Sequence, residues 1–196
     1  MPSTSQRPST PGRRERKKAE TRAAIANAAL ELFLERGFED VGIREIAGHA
    51  DVAVATVFAH FPSKEALVFD DDAAVVASLV TAVVERPAGS PVLDALEHWF
   101  RTSARNRRHG DQEFTRFRDL VDRTPALHDY WQGLWRNHRT TLAHAVADSS
   151  DTDLARAELL ATLVVEGYLL ATEHDDTTAT LDLLFRTLRG GLPAAG

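Results

Sequence analysis

The chain has 196 residues, 43% of them hydrophobic, a formal charge of −6 and no cysteine. That length and apolar content suffice for the core of one large domain, or of a small one joined to a larger, and exclude general disorder. The lack of cysteine excludes disulfide frameworks and thiolate metal sites and fits a reducing cytoplasm, the expected location.

No apolar run approaches the roughly 18 residues of a membrane span, so no membrane partner is expected. The opening "MPSTSQRPSTPGRRERKKAE" carries charge but no apolar h-region, and does not read as a secretory leader. Charge is unevenly spread: residues 1–22 hold seven Lys/Arg against two acids, about +5, leaving 16 against 27, about −11, for the rest. Such a chain suits a protein that touches phosphate at one end, or one with a solubilising tail.

In chain order, residues 1–12 are rich in Pro, Ser and Thr, and a basic, disordered arm is expected over 1–18. Ile25, Ala29, Leu32, Phe33 and Arg36 then mark one helix face, with Gly37 as its stop. A short helix follows from Ile43 to Ala50, with Ile43, Ile46, Ala47 and Ala50 turned inward. Asp51 can take a left-handed turn, and a second short helix covers Val54 to His60.

Pro62 and Ser63 interrupt the pattern, and Ser63 is expected to cap a long helix from Lys64 to about Glu85. Ser90–Pro91 and Thr124–Pro125 are start signals for helices to about Arg107 and Ala147, with a shorter helix, Glu113 to Val121, between them. "DSSDTD" precedes Leu154–His174, and "DDTT" precedes the last helix, about Thr177–Arg189. The reading is all-α, with nine helices, no strand pattern and no internal repeat.

Two short helices joined by a tight turn, with a third packed behind, form the helix-turn-helix arrangement, a weak signal alone. The specific signal is the string "LELFLERGFEDVGIREIAGHADVAVATVFAHFPSKEAL". Through Ala29, Phe33, Gly37–Phe38, Ile46–Ala47, Ala50, Val52, Thr56, Phe58, His60–Phe61, Lys64–Glu65 and Leu67 it resembles the TetR family of bacterial transcriptional regulators. The resemblance covers about 50 residues in order and spacing, and beyond Val68 extends only to helix count and layout.

The resemblance implies a DNA-binding domain over 19–79, with its motif at 42–61, and a ligand-binding and dimerisation domain over 80–196. It implies that the arm and Arg22 approach the DNA backbone, that Arg44 reaches a base edge or phosphate, and that Thr56 and His60 bond phosphates. Lys64 would contact a phosphate at the positive N-terminus of its helix.

Val52, Val57 and Phe61 read as core. The recognition helix has no Lys or Arg, and Val54, Ala55 and Ala59 fall on its outer face with Phe58 beside them. Short apolar side chains let a helix sit deep in the major groove and pack on thymine methyls, or merely space it from the DNA.

The chain also departs from the family's pattern. Val41–Gly42 stands where Thr or Ser is usual, Ala53 where Ser is, and Phe58 where Tyr is. Fewer phosphate contacts imply weaker binding with a shallower salt dependence.

In the body, "LLATLVVEGYLLA" (159–171) is apolar on nearly all sides and must be covered on more than one face. The last helix carries the stripe Leu181, Leu184, Phe185 and Leu188, suited to a four-helix interface. A monomeric core could also absorb these residues, but the resemblance implies a homodimer, with Leu163, Leu170, Leu181, Leu184, Phe185 and Leu188 as its expected interface. The middle helices carry Trp99, Phe114, Phe117, Trp131, Trp135 and Tyr168, which as a group favour a cavity for a hydrophobic or aromatic effector, although such a stripe also suits an ordinary core.

His138 and Glu166 are the polar members of this candidate pocket. Glu166 sits among leucines and valines, and would pair with an arginine, His138 or a ligand donor, or reach solvent. No metal-ligand spacing, catalytic triad or Gly-rich phosphate loop is present, so no cofactor, metal or enzymatic activity is expected.

The leading reading is a ligand-responsive regulator, a repressor bound as a homodimer to a near-palindromic double-stranded operator and released by a small hydrophobic or aromatic molecule. The rival is a helical small-molecule-binding protein or enzyme with an incidental or decayed helix-turn-helix.

Overall fold

The computed structural model describes residues 12–108, 112–174 and 176–190, without the side chains of 105–108, 113 and 114. Among these residues all regular structure is helical, with nine α-helices and one 3-10 turn and no strand. They are α1 (Arg13–Arg36), α2 (Ile43–His49), α3 (Val54–His60), α4 (Asp72–Val84), α5 (Val92–Arg108), α6 (Gln112–Arg123), α7 (Pro125–Ser149), α8 (Leu154–Glu173) and α9 (Thr177–Gly190). The chain divides into two compact units between Asp70 and Asp71.

In the first unit, Ile25, Ala29, Leu32 and Phe33 of α1 are buried, as are Phe38, Val41, Ile46, Val57 and Phe61, with the rings of Phe33 and Phe38 5.1 Å apart. Gly37, at φ 89°, ends α1 with its N–H on the Phe33 carbonyl. Asp51, at φ 52°, makes the turn between α2 and α3. The basic residues Arg13, Arg14, Arg16, Lys17 and Lys18 form the first turns of α1 rather than an unstructured arm; residues 1–11 of that expected arm lie outside the described residues.

The long helix expected from Lys64 is not formed. Ser63 Oγ accepts from the Ala66 N–H at 3.3 Å, and only a single 3-10 turn, Glu65–Leu67, follows it. Ala66, Leu67, Val68 and Phe69 are all buried, and four successive residues cannot share one face of an α-helix, so the backbone must turn. The helix resumes at Asp72, where an acidic first turn suits the positive end of the helix dipole.

In the second unit, α7 and α8 pack along each other. α4 lies on α5 and α7, α9 on α5 and α8, and α6 on α7. Leu79, Val83, Leu96, Phe100, Leu142, Val146, Val164, Val165, Tyr168, Leu181 and Phe185 form one core. Asp153 caps α8 by accepting from the Arg156 N–H at 2.9 Å. Arg86 ties two helix ends, donating to the carbonyls of Val83 (2.6 Å) and Ser149 (2.6 Å), groups without partners of their own within α4 and α7. A Cβ on Gly167 would meet Leu184 side-chain atoms at 2.5 and 2.8 Å, so a larger residue there would require Leu184 to shift where α8 and α9 meet.

Candidate nucleic-acid interface

α3 presents Ala55, Phe58 and Ala59 to solvent, Phe58 at 55% exposure, with Val54, Thr56 and His60 half-buried beside them. Val57 and Phe61 are buried and seat the helix, while Val52 is half-buried. Arg44 is exposed on α2. Exposed contacts join α2 to α1, the Arg36–Glu45 ion pair and His49 at 3.3 Å from Glu31, and Arg36 also donates to the Asp40 carbonyl at 3.1 Å in the intervening loop.

Neither reading-head helix has a side-chain N-cap: Gly42 and Ala53 occupy those positions. A serine oxygen in place of Ala53 would accept from one of the free N–H groups of the first turn of α3. Ala53→Ser is therefore expected to stabilise this unit by about 1 kcal/mol, read by urea unfolding. No change in the midpoint would mean that α3 is held wholly by its packing.

Two basic residues expected to face phosphate are engaged inside the domain. The Lys64 ammonium donates to the Phe38 carbonyl and sits 4.2 Å from the Phe38 ring centroid. It gains nothing from a helix dipole, because the long helix is not formed. Arg22 pairs with Asp70 at 2.5 Å, donates to the His60 carbonyl at 2.5 Å and lies 4.1 Å over the Phe61 ring. The partners of Arg22 lie 38 and 48 residues away in sequence, beyond the reach of local pattern.

In the second unit, the expected pocket residues separate. Trp135 and Tyr168 are buried, with rings 4.6 Å apart, and Phe100 touches both at 5.8 and 4.8 Å. Trp99 and Trp131 are half-buried at the edge of this cluster, each against Trp135. Phe117 is half-buried on α6, and the side chain of Phe114 lies outside what is described.

His138 is buried and bonds Asp72 at 2.8 Å, not Glu166. Glu166 does not enter the core: it stands half-exposed between Arg136 (3.4 Å) and Arg139 (3.8 Å), the arginine pairing among its alternatives. Val164 and Val165 beside it belong to a buried face of α8, whereas Leu163 and Leu170 share its exposed side.

The expected dimer residues separate as well. Leu181 and Phe185 have 0% exposure in the single chain and belong to its own core, because α9 turns this side onto α5 and α8. Leu184 and Leu188 are half-buried against the same core. Leu163 (45%) and Leu170 (52%) are exposed, and Leu159 on α8 and Leu183 on α9, not singled out from sequence, are exposed with them. Positions 159, 163, 166 and 170 follow helical spacing, a signal masked by the leucines and valines filling the other faces. Among the described residues there is no group of three metal-ligating side chains, and no helix is long and apolar enough to cross a membrane.

Residues 25–70 match the model of the bacterial regulatory proteins, tetR family. The HTH-type transcriptional regulator TcmR of Streptomyces glaucescens is 36% identical over 132 residues, which are 64% of this chain and 58% of TcmR, so less than two thirds of that relative is spanned. Among solved structures, Thermus thermophilus FadR, a TetR family transcriptional repressor in complex with lauroyl-CoA, is 26% identical, with 89% of this chain and 96% of that one covered at a TM-score of 0.57. NalD of Pseudomonas aeruginosa, the secondary repressor of the MexAB-OprM multidrug efflux pump, shares the fold at 20% identity, 91% and 100% coverage and a TM-score of 0.51. With its two short helices about the Asp51 turn, residues 25–70 form a domain of the bacterial regulatory proteins, tetR family, and the chain as a whole is similar to TcmR and to FadR.

Proposed function

We propose that this chain is a ligand-responsive, sequence-specific DNA-binding regulator, a repressor released by a small hydrophobic or aromatic molecule. The observation that carries the reading is the exposed, uncharged face of α3, with Ala55, Phe58 and Ala59 flanked by Thr56 and His60, in a domain matched by the family model. Methyl and phenyl groups on a helix seated in the major groove pack on thymine methyls, while Thr56 and His60 donate to phosphates. Arg44 supplies the charged fork suited to a guanine edge.

The protein acts as a homodimer in the cytoplasm, with two copies of α3 about one DNA turn, roughly 34–36 Å, apart on a near-palindromic operator. An effector that lowers DNA affinity must bind the DNA-incompetent form better than the competent one. The apolar second unit, with Trp99 and Trp131 at the edge of its aromatic cluster, favours a hydrophobic or aromatic effector, and the similar repressor FadR is in complex with lauroyl-CoA, a molecule with an acyl chain.

The test begins with genomic fragments selected by the purified protein. On the selected site, replacing the thymines under α3 by deoxyuracil should weaken binding by about 0.8 kcal/mol, roughly fourfold, for each methyl lost. Arg44→Ala should cost about 1–3 kcal/mol and relax preference at one position, read by fluorescence anisotropy. A carrier or enzyme with an incidental helix-turn-helix selects no fragment. Equal loss on selected and random DNA for Arg44→Ala would overturn its base-reading role.

A further inference from the structure

Resting on the DNA-binding reading above, we propose that Arg22 is the positioning residue of the recognition helix, held in that role by Asp70, rather than a ligand of DNA phosphate. α3 has seven residues, no side-chain N-cap and no Lys, Arg, Asp or Glu along its length. A helix that short has little stability of its own, so its direction is set by what grips it.

Packing of Val57 and Phe61 fixes one side. Its C-terminal end is gripped by Arg22, whose Nη1 donates to the carbonyl of His60, the last residue of α3 and one of the acceptors that a helix end leaves without an intrahelical partner. The guanidinium carbon lies over the ring of Phe61, the next residue. One side chain of α1 thus holds the end of the recognition helix by a hydrogen bond and a ring contact.

Asp70 fixes the orientation of that side chain. Its carboxylate pairs with Arg22 Nε at 2.5 Å, with the two side chains 40% and 30% exposed. The pair leaves no net charge at this point, so Arg22 adds little to the phosphate attraction that sets the salt dependence of binding. The geometry also requires the guanidinium fork. Nη1 donates to the His60 carbonyl and Nε faces the Asp70 carboxylate, in two different parts of the chain, while the group covers a ring, which a lysine ammonium cannot reproduce.

These roles separate experimentally through Arg22→Lys, Arg22→Ala and Asp70→Asn in the full chain. Binding to a selected genomic site and to random DNA would be measured by fluorescence anisotropy over about 50–200 mM salt. Circular dichroism and thermal unfolding serve as controls for folding.

Positioning predicts that all three variants lose roughly tenfold or more on the selected site, and little on random DNA, with the salt slope unchanged. Adding Asp70→Asn to Arg22→Ala should then cost nothing further, because both act through one contact. A phosphate ligand predicts the opposite: Arg22→Lys binds like the wild type, Arg22→Ala lowers the slope by about 0.9, and Asp70→Asn strengthens binding by removing a negative charge.

A purely structural role lowers binding to both DNAs in parallel with the folded fraction, which also overturns the proposal. Should Arg22→Ala unfold, Arg22→Lys and Asp70→Asn still separate positioning from phosphate contact. A wild type that prefers no site overturns the DNA-binding reading itself. A wild type that discriminates, with variants that discriminate equally, overturns only the role of Arg22.

Discussion

Replacing Leu163 and Leu170 together by glutamate is expected to leave a folded monomer that binds the operator little better than random DNA. Both leucines are about half exposed in the single chain, on one side of α8 with Leu159, and Leu183 on α9 is equally exposed. Surface substitutions of this kind change the stability of the chain itself by only about 0.5 kcal/mol.

In a two-fold interface each change occurs twice, and carboxylates placed against the partner's apolar surface cost several kcal/mol, about the strength of a modest interface. Losing the second reading head removes a gain of about 10²–10⁴ in binding. Sedimentation or light scattering at micromolar concentration should show dimer for the wild type and monomer for the double variant. A variant that remains dimeric would place the interface elsewhere.

Phe100→Ala is expected to cost about 3–5 kcal/mol, a large share of the roughly 5–15 kcal/mol that holds a domain together. Phe100 is fully buried at the centre of the aromatic cluster, with ring centroids at 4.8 Å from Tyr168, 5.0 Å from Trp99, 5.8 Å from Trp135 and 6.4 Å from Phe185. Four rigid rings on four different helices cannot close over the space left by a phenyl group, so most of the cavity cost persists.

Trp131→Ala, at the half-buried edge, should cost less stability and should weaken the response to an effector. Urea unfolding followed by tryptophan fluorescence measures the first quantity, and effector-dependent DNA release the second. If Phe100→Ala unfolds at the wild-type midpoint, the cluster is looser than its contacts imply.

Much of the fold was legible because it rests on local chemistry. The spacing of Ile25, Ala29, Leu32 and Phe33 determines which face of α1 is buried, and Gly37 and Asp51 stand where the backbone takes positive φ. The unbroken helix expected from Lys64 does not form because its first turns hold four successive apolar residues, Ala66 to Phe69, that are all buried. That pattern belongs to a turn packed on several sides.

The site was legible where exposure follows helical phase, as on α3. It was not where a partner is distant in sequence: Arg22 finds Asp70 and His60, and Lys64 finds the Phe38 carbonyl, across 26 to 48 residues. On α8 and α9, apolar character shows that a face is covered without showing what covers it. Leu181 and Phe185 are covered by their own chain, whereas Leu163 and Leu170 are left open.

Sequence-specific DNA binding by this uncharged recognition helix is the central claim, and fluorescence anisotropy on a selected genomic site against random DNA, at near-physiological salt, tests it most directly. The account predicts a near-palindromic site bound at least about 10³-fold more tightly than random DNA, with affinity falling as salt rises. Equal affinity for selected and random DNA at every salt concentration would contradict it.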